Sequence, residues 1–270
     1  MNYQIFEPNA DLATFVKCYW TLESPKKSSP EKQTIVPDGC MEMIFHYGDL
    51  YKQYLPNGES IIQPRCFVFG QLTQPLEIEP TGATGIFSIR FHPEGFLPFA
   101  TIPIKEMEKK ATSFKTLFGR EGLTLEEKVL KAKSTAERIN HVENFLIARL
   151  ADAKIITGIV KSTVDLIIDS KGQLSVGAVS QQVDISRRQL ERNFSSTIGL
   201  SPKQLSKTIR LQAILKKLLN QKGKKLTALA YDGKYYDQAH FIKDFKEFTG
   251  ITPKEFYGEN LKMSKLFYEG

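Results

Sequence analysis

Residues 186–205 read SRRQLERNFSSTIGLSPKQL, and residues 237–256 read DQAHFIKDFKEFTGITPKEF. The two stretches align without a gap, 51 positions apart (Ser186 to Asp237). Each begins with a helix-capping residue, Ser186 or Asp237. Each then carries a polar face with a matched basic residue (Arg192, Lys243) and an apolar stripe with a matched aromatic (Phe194, Phe245). Each closes on a glycine, Gly199 or Gly250, followed by Ser-Pro or Thr-Pro. A capping side chain, an amphipathic run and a glycine free to take a left-handed backbone spell one helix and its exit turn. Written twice, they spell two copies of one supersecondary unit. In a basic segment, the unit that fits best is the helix-turn-helix.

The charge is placed to match. Residues 1–170 hold 19 Lys+Arg against 21 Asp+Glu, whereas residues 171–270 hold 18 against 9. All of the chain's +7 therefore belongs to the segment that holds the repeat. A basic module beside a near-neutral one points to a polyanion binder joined to a sensing or regulatory unit. Alone, this asymmetry suits a solvated Lys-rich surface equally well; with the repeat, nucleic acid is the stronger reading.

Outward from the repeat, the last hundred residues read as almost all helix. Val176–Val183 precedes the first capped helix, and Ser201-Pro202 opens a long one through Ile209, Leu211, Ile214, Leu215 and Leu218 to Asn220. Leu226–Tyr231, a turn around Gly233 and Asp237–Phe248 rewrite the two-helix unit. Thr252-Pro253-Lys254-Glu255 is a capping box. Residues 1–100 read differently. Val16–Leu22, Met41–Tyr47, Cys66–Gln71 and Gly85–Phe91 are short apolar or alternating runs separated by turn residues, which predicts a β-sandwich or small barrel. Asp38-Gly39 reads most simply as a hairpin turn. Helical spacing returns over Leu123–Lys133, over Ser134–Asp152 with a Ser134/Glu137 capping box, and over Lys154–Asp169. Ser170-Lys171-Gly172 is the expected domain boundary.

The fold class is thus α+β, with a β-rich domain plus a helical segment over 1–170, an all-α domain over 171–258 and a tail over 259–270. The start MNYQIFEPNADLATFV lacks a signal-peptide pattern, and no apolar run approaches membrane-spanning length. Cys18, Cys40 and Cys66, odd in number and widely spaced, suit reduced thiols in a cytoplasm.

On a helix starting at Ser186, Leu190 and Phe194 share the inner face, while Arg187, Arg188, Glu191 and Arg192 project outward. Arginine donates bidentately to guanine O6 and N7 or clamps phosphates. On the second helix Phe241 and Phe245 point inward, leaving Gln238, Ala239, Ile242, Lys243 and Lys246 outside. Glutamine pairs with adenine edges and a small apolar group meets thymine methyls. Any amphipathic helix has a polar face, so one alone would say little; two in register make duplex DNA the reading.

These residues resemble the C-terminal DNA-binding domain of the AraC/XylS family of bacterial transcription regulators. Tyr235-Tyr236-Asp237-Gln238-Ala239-His240-Phe241, Phe245-Lys246, Gly250 and Thr252-Pro253 carry the resemblance. It implies two helix-turn-helix units joined by a long helix, here Pro202–Asn220, that enter successive major grooves. Arg187, Arg188, Glu191 and Arg192 would read one groove, and Gln238, Ala239, Lys243 and Lys246 the other. Lys234 stands where the family has a turn glycine, and Ser180 where it has alanine. Cys18-Tyr19-Trp20, Val36 to Glu42, Gly70-Gln71-Leu72 and Arg90-Phe91-His92-Pro93 resemble the sensor-type domain of one subgroup, implying a cupin-like barrel. The resemblance also implies an activator, RNA polymerase as protein partner and homodimerisation.

Within the β-rich half, Asp38, Glu42, His46, Arg90 and His92 are the polar residues in strand-like phrases. Trp20, Glu42, Arg90 and His92 are the candidate ligand-binding set for a small-molecule effector. Arg90 suits an anionic ligand and, equally, an ion pair with Glu42. Cys40, His46 and His92 lack the clustered spacing of a metal site, so no metal or other cofactor is assigned. No nucleophile-elbow, P-loop, dinucleotide-binding or zinc-protease motif is present. The competing readings are an enzyme or metal-binding barrel carrying a DNA-targeting module, and a non-specific architectural DNA binder.

Overall fold

The computed structural model describes residues 1–28, 30–150, 158–220, 233–235 and 237–257. Among them are ten strands: β1 (Asn2–Phe6), β2 (Val16–Ser24), β3 (Gln33–Ile35), β4 (Glu42–His46), β5 (Tyr51–Tyr54), β6 (Ser60–Ile62), β7 (Cys66–Phe69), β8 (Leu76–Pro80), β9 (Thr84–Phe91) and β10 (Ala111–Ser113). They form a six-stranded antiparallel sheet, ordered β1-β2-β9-β4-β7-β10, and a four-stranded one, ordered β3-β8-β5-β6. The four strands read from sequence all fall in the first sheet. None of those runs corresponds to a strand of the second sheet.

Strand alternation decides what each face does. Tyr19, Met43, Phe45, Val68, Phe87, Ile89 and Phe91 of the large sheet are buried against α1 (Phe114–Lys131) and α2 (Thr135–Leu150), through Phe114, Leu117, Val129, Val142 and Leu146. Its opposite face, through Cys18, Trp20, Leu22 and Ile86, packs on Tyr51 and Ile78 of the small sheet. β9 is buried along its whole length because both its faces are covered. No strand pairing joins the sheets among the described residues, so this half is an open two-sheet sandwich capped by helices, not a closed barrel. Asp38-Gly39 makes a crossover, not a hairpin: β3 pairs with β8, whereas the following β4 pairs with β7 and β9. Gly39 takes φ +80° there, and Asp38 Oδ1 accepts from the Cys40 amide at 2.9 Å.

The helical half begins earlier than expected. Val160, Val164 and Ile167 of α3 (Gly158–Asp169) share a core with Val179 of α4 (Val176–Gln182), Leu190, Phe194 and Ile198 of α5 (Arg187–Ile198), and Leu205 of α6 (Pro202–Asn220). The Ser170–Gly172 turn thus lies inside the helical half. Lys171 and Gly172 both take positive φ, and a Cβ at Gly172 would strike the Ser206 carbonyl oxygen at 2.0 Å. The last described long helix is α7 (Gln238–Thr249). Leu226–Tyr231 and the tail 259–270 lie outside the described residues. No helix among the described residues is long and apolar enough to cross a membrane.

Candidate nucleic-acid interface and the inter-sheet cavity

The two repeats fold alike. Ser186 caps α5 by accepting from the Gln189 amide at 3.2 Å, and Asp237 caps α7 by accepting from the His240 amide at 2.7 Å. Both helices end on a left-handed glycine, Gly199 at φ +82° and Gly250 at φ +83°. Reciprocal capping boxes follow each exit: Ser201 with Gln204, and Thr252 with Glu255. The turns before the helices differ. Asp184 takes φ +52° two residues before its cap, and Lys234 takes φ +50° three residues before. Lysine thus adopts the backbone conformation that a glycine would supply without strain.

Arg187, Arg188, Glu191 and Arg192 are all exposed on α5, while Leu190 and Phe194 are fully buried. Gln238, Ala239, Lys243 and Lys246 are all exposed on α7, opposite the buried Phe241, Phe245 and Phe248. Arg187 lies back over Gly177 of α4, where a Cβ would meet its guanidinium at 2.1 Å. Leu211, Ile214, Leu215 and Leu218 of α6 close the core under α7. Lys207 of α6 pairs with Asp244 at 3.0 Å and Glu247 at 2.9 Å, and Arg210 lies over the Tyr235 ring. One continuous helix therefore carries both units.

In the β-rich half the four resemblance phrases converge on one cluster. β4 runs beside β9 in a register that places Glu42 opposite Arg90. Arg90 is ion-paired with Asp38 and, at 3.0 Å, with Glu42; Ser88 donates to Glu42 at 2.9 Å, and Trp20 reaches the same carboxylate. Burial raises the Glu42 pKa, with Arg90 opposing. Burial also works against the charge on Arg90, but Asp38 and Glu42 outweigh it and hold its pKa above the ordinary value. Gln71 donates to the carbonyls of Gly39 and Pro93, tying the remaining phrases together.

Trp20, Glu42 and Arg90 line a cavity of about 80 Å³ between the sheets; His92 does not. β9 ends at Phe91, and the His92 amide turns away to the Phe15 carbonyl at 2.9 Å. His46 lines the cavity instead. It is 2% exposed, and the Gln63 side chain lies within reach of its ring, although neither ring nitrogen makes a hydrogen bond of good geometry. Burial lowers its pKa to about 4, so the ring is neutral at pH 7. Cys40 and His46 share the cavity without His92, so the trio weighed for a metal does not assemble.

The halves touch. Gln212 of α6 donates to the Pro37 carbonyl, Val36 joins the core under α7, and Gly39 abuts Leu205.

Residues 179–258 match the helix-turn-helix domain family, and residues 4–113 match a domain of unknown function, DUF6597. The C-terminal unit carries a helix-turn-helix domain. The chain joins that DNA-binding domain to an N-terminal DUF6597 domain. An uncharacterized HTH-type transcriptional regulator of Haemophilus influenzae is 25% identical over 117 residues, covering 43% of this chain and 38% of the relative. The HTH-type transcriptional regulator ArgR of Pseudomonas aeruginosa is 30% identical over 82 residues, covering 30% of this chain and 25% of the relative. The chain thus spans well under half of the curated relatives it matches. The solved structure of ToxT from Vibrio cholerae aligns with 93% of this chain and 98% of its own, at 13% identity and a TM-score of 0.47.

Proposed function

We propose that the protein is a sequence-specific, DNA-binding transcription regulator whose N-terminal half responds to a small molecule. The observation that supports this most is the pair of equivalent helices, α5 and α7, each with an exposed polar face and a buried apolar face centred on a matched Phe, mounted on the single helix α6. Arg187, Arg188, Glu191 and Arg192 read one major groove, and Gln238, Ala239, Lys243 and Lys246 the next. The protein works in the cytoplasm, consistent with three free cysteines, and as a regulator, not an enzyme. RNA polymerase and a second copy of the chain are its proposed protein partners. An effector acts by binding unequally to the DNA-competent and DNA-incompetent arrangements of the two halves.

Fluorescence anisotropy of the full chain against duplexes tiling its own upstream region tests this, at about 150 mM salt with scrambled competitor. One tile bound on the order of 10³-fold tighter than scrambled DNA is the expected result. Equal, steeply salt-dependent binding to every tile would favour an architectural role.

A further inference from the structure

The cavity between the sheets has two polar ends and an apolar middle. On β4, Glu42 and His46 face the same side four residues apart, a strand distance of about 13 Å. At one end the carboxyl groups of Asp38 and Glu42 both engage the Arg90 guanidinium. At the other stand the neutral imidazole of His46 and the Gln63 amide. Ile44, Phe69, Leu76, Ile78 and Ile86 form the walls between. Arg90 is thus not available to greet an anion: a carboxylate or phosphate entering here would face two carboxylates around one guanidinium. The unmet hydrogen-bonding capacity belongs to His46, whose ring is almost wholly buried and lies tilted beside Tyr51 and Phe67, at 5.5 and 5.8 Å. A neutral imidazole offers one donor and one acceptor.

We propose that this cavity binds a compact, mainly apolar molecule without negative charge, whose hydroxyl or amine hydrogen-bonds to His46. The volume of about 80 Å³ is roughly half that of a cavity that takes benzene, so a single small ring enters only by parting the sheets and an extended chain does not fit. Occupancy is read through the 36–40 loop. Val36, Asp38 and Cys40 line the cavity, while on the same loop the Pro37 carbonyl takes its hydrogen bond from Gln212 of α6 and Val36 packs under α7. A ligand that parts the sheets moves the loop that braces the DNA-reading helices. This regulatory step rests on the proposed function; the binding site does not.

Trp20 is the chain's only tryptophan and lines the cavity, so its emission reports occupancy directly. Three probes on one carbocycle separate the charge classes: cyclopentanol, cyclopentylamine and cyclopentanecarboxylate, titrated at pH 7.5 into the full chain to tens of millimolar. A saturable change with the alcohol or the amine, at least tenfold weaker with the carboxylate, is expected. His46→Phe should weaken the response about tenfold, and Ile44→Phe, which fills the cavity, should abolish it. If either variant fails to fold, the wild-type charge series decides alone. Equal or better binding of the carboxylate, no saturable response to any probe, or an unchanged response in folded His46→Phe overturns the proposal. DNA anisotropy on the same samples is scored separately, so probe binding without DNA binding would sink only the regulator reading.

Discussion

Replacing Arg90 with leucine should be among the most damaging single changes in the β-rich half, and its damage should depend on pH. The Arg90 side chain is 8% exposed and stands between Asp38 and Glu42. Without it two carboxylates face each other in a largely dry site with no counter-charge. Breaking a buried pair by removing one partner costs about 3–5 kcal/mol, because the remaining charge is stranded. For a chain of this size that corresponds to a fall in melting temperature of about 6–20 °C. The sign of the pH effect follows from Glu42, whose carboxyl is already raised above its ordinary pKa by burial while Arg90 opposes the rise. Losing Arg90 lifts it further. A carboxyl with a raised folded-state pKa favours folding when protonated and loses that contribution as pH rises through the folded pKa. The Arg90→Leu deficit should therefore be greatest near pH 8 and shrink toward pH 5. Differential scanning fluorimetry of wild type and variant at pH 5, 6, 7 and 8 measures it. Adding Glu42→Leu to Arg90→Leu should recover much of the loss, since a full apolar replacement strands one charge fewer. A deficit below about 1 kcal/mol at pH 8, or one that does not shrink in acid, would refute the reasoning.

Three further outcomes follow from the helical half. Arg192→Ala and Gln238→Ala should each cost about 1–3 kcal/mol of specific DNA binding with little change in melting temperature, since both side chains are exposed; unchanged footprints for both would remove these helices as readers. Lys207→Met should destabilise by no more than about 1 kcal/mol, less at high salt, because its pairs with Asp244 and Glu247 are partly solvated; urea titrations at two ionic strengths decide it. Lys234→Gly should stabilise by up to about 1 kcal/mol by relieving the positive φ, net of glycine's entropy; a lower denaturation midpoint would show that the lysine side chain matters more than its backbone.

What the sequence revealed, and what it hid, divides along the range of the interactions. The repeat, its caps and its glycine exits are local, and residue order states them: Ser186, Asp237, Gly199 and Gly250 hold the geometry their types imply. The small sheet stayed hidden because its strands are short, with exposed or polar positions; β6 is exposed along its whole length, and β8 reads LEIEP. The partner of α3 was equally illegible. A helical stripe says that a face is buried without saying against what, and only the fold shows Val160, Val164 and Ile167 packing with Val179, Leu190 and Phe194. His92 stands in a strand-like phrase, but β9 stops at Phe91, one residue before it. His46 shares parity with Glu42 on a strand that does continue, and that was the available signal. Whether Arg90 meets a ligand or Glu42 depends on the β4–β9 register, which only the fold supplies.

The contacts between the halves suggest why a sandwich of this kind would sit beside a DNA-reading domain. Gly199, the C-cap of α5, lies against Ile104, where a Cβ would come within 3.0 Å; Gly250, the C-cap of α7, faces Pro75 at 3.5 Å on the same basis. The N-terminal half thus approaches both reading helices at their C-terminal ends. Most of the side chains proposed to read bases lie toward the other ends, from Arg187 to Arg192 and from Gln238 to Lys243, with Lys246 in the last turn of α7, and all remain exposed. Docking of this sort does not cover the reading faces. It constrains where the helices stand relative to each other, and α6 is held as well, in its first turn through Leu205 on Gly39 and near its middle through Gln212 on Pro37. Two helices proposed to enter successive major grooves would tolerate little error in spacing, because phosphate contacts fix the register in which bases are read. A sub-ångström shift of the 36–40 loop would then act on DNA affinity by changing the spacing of two intact reading heads, without unfolding or masking either one.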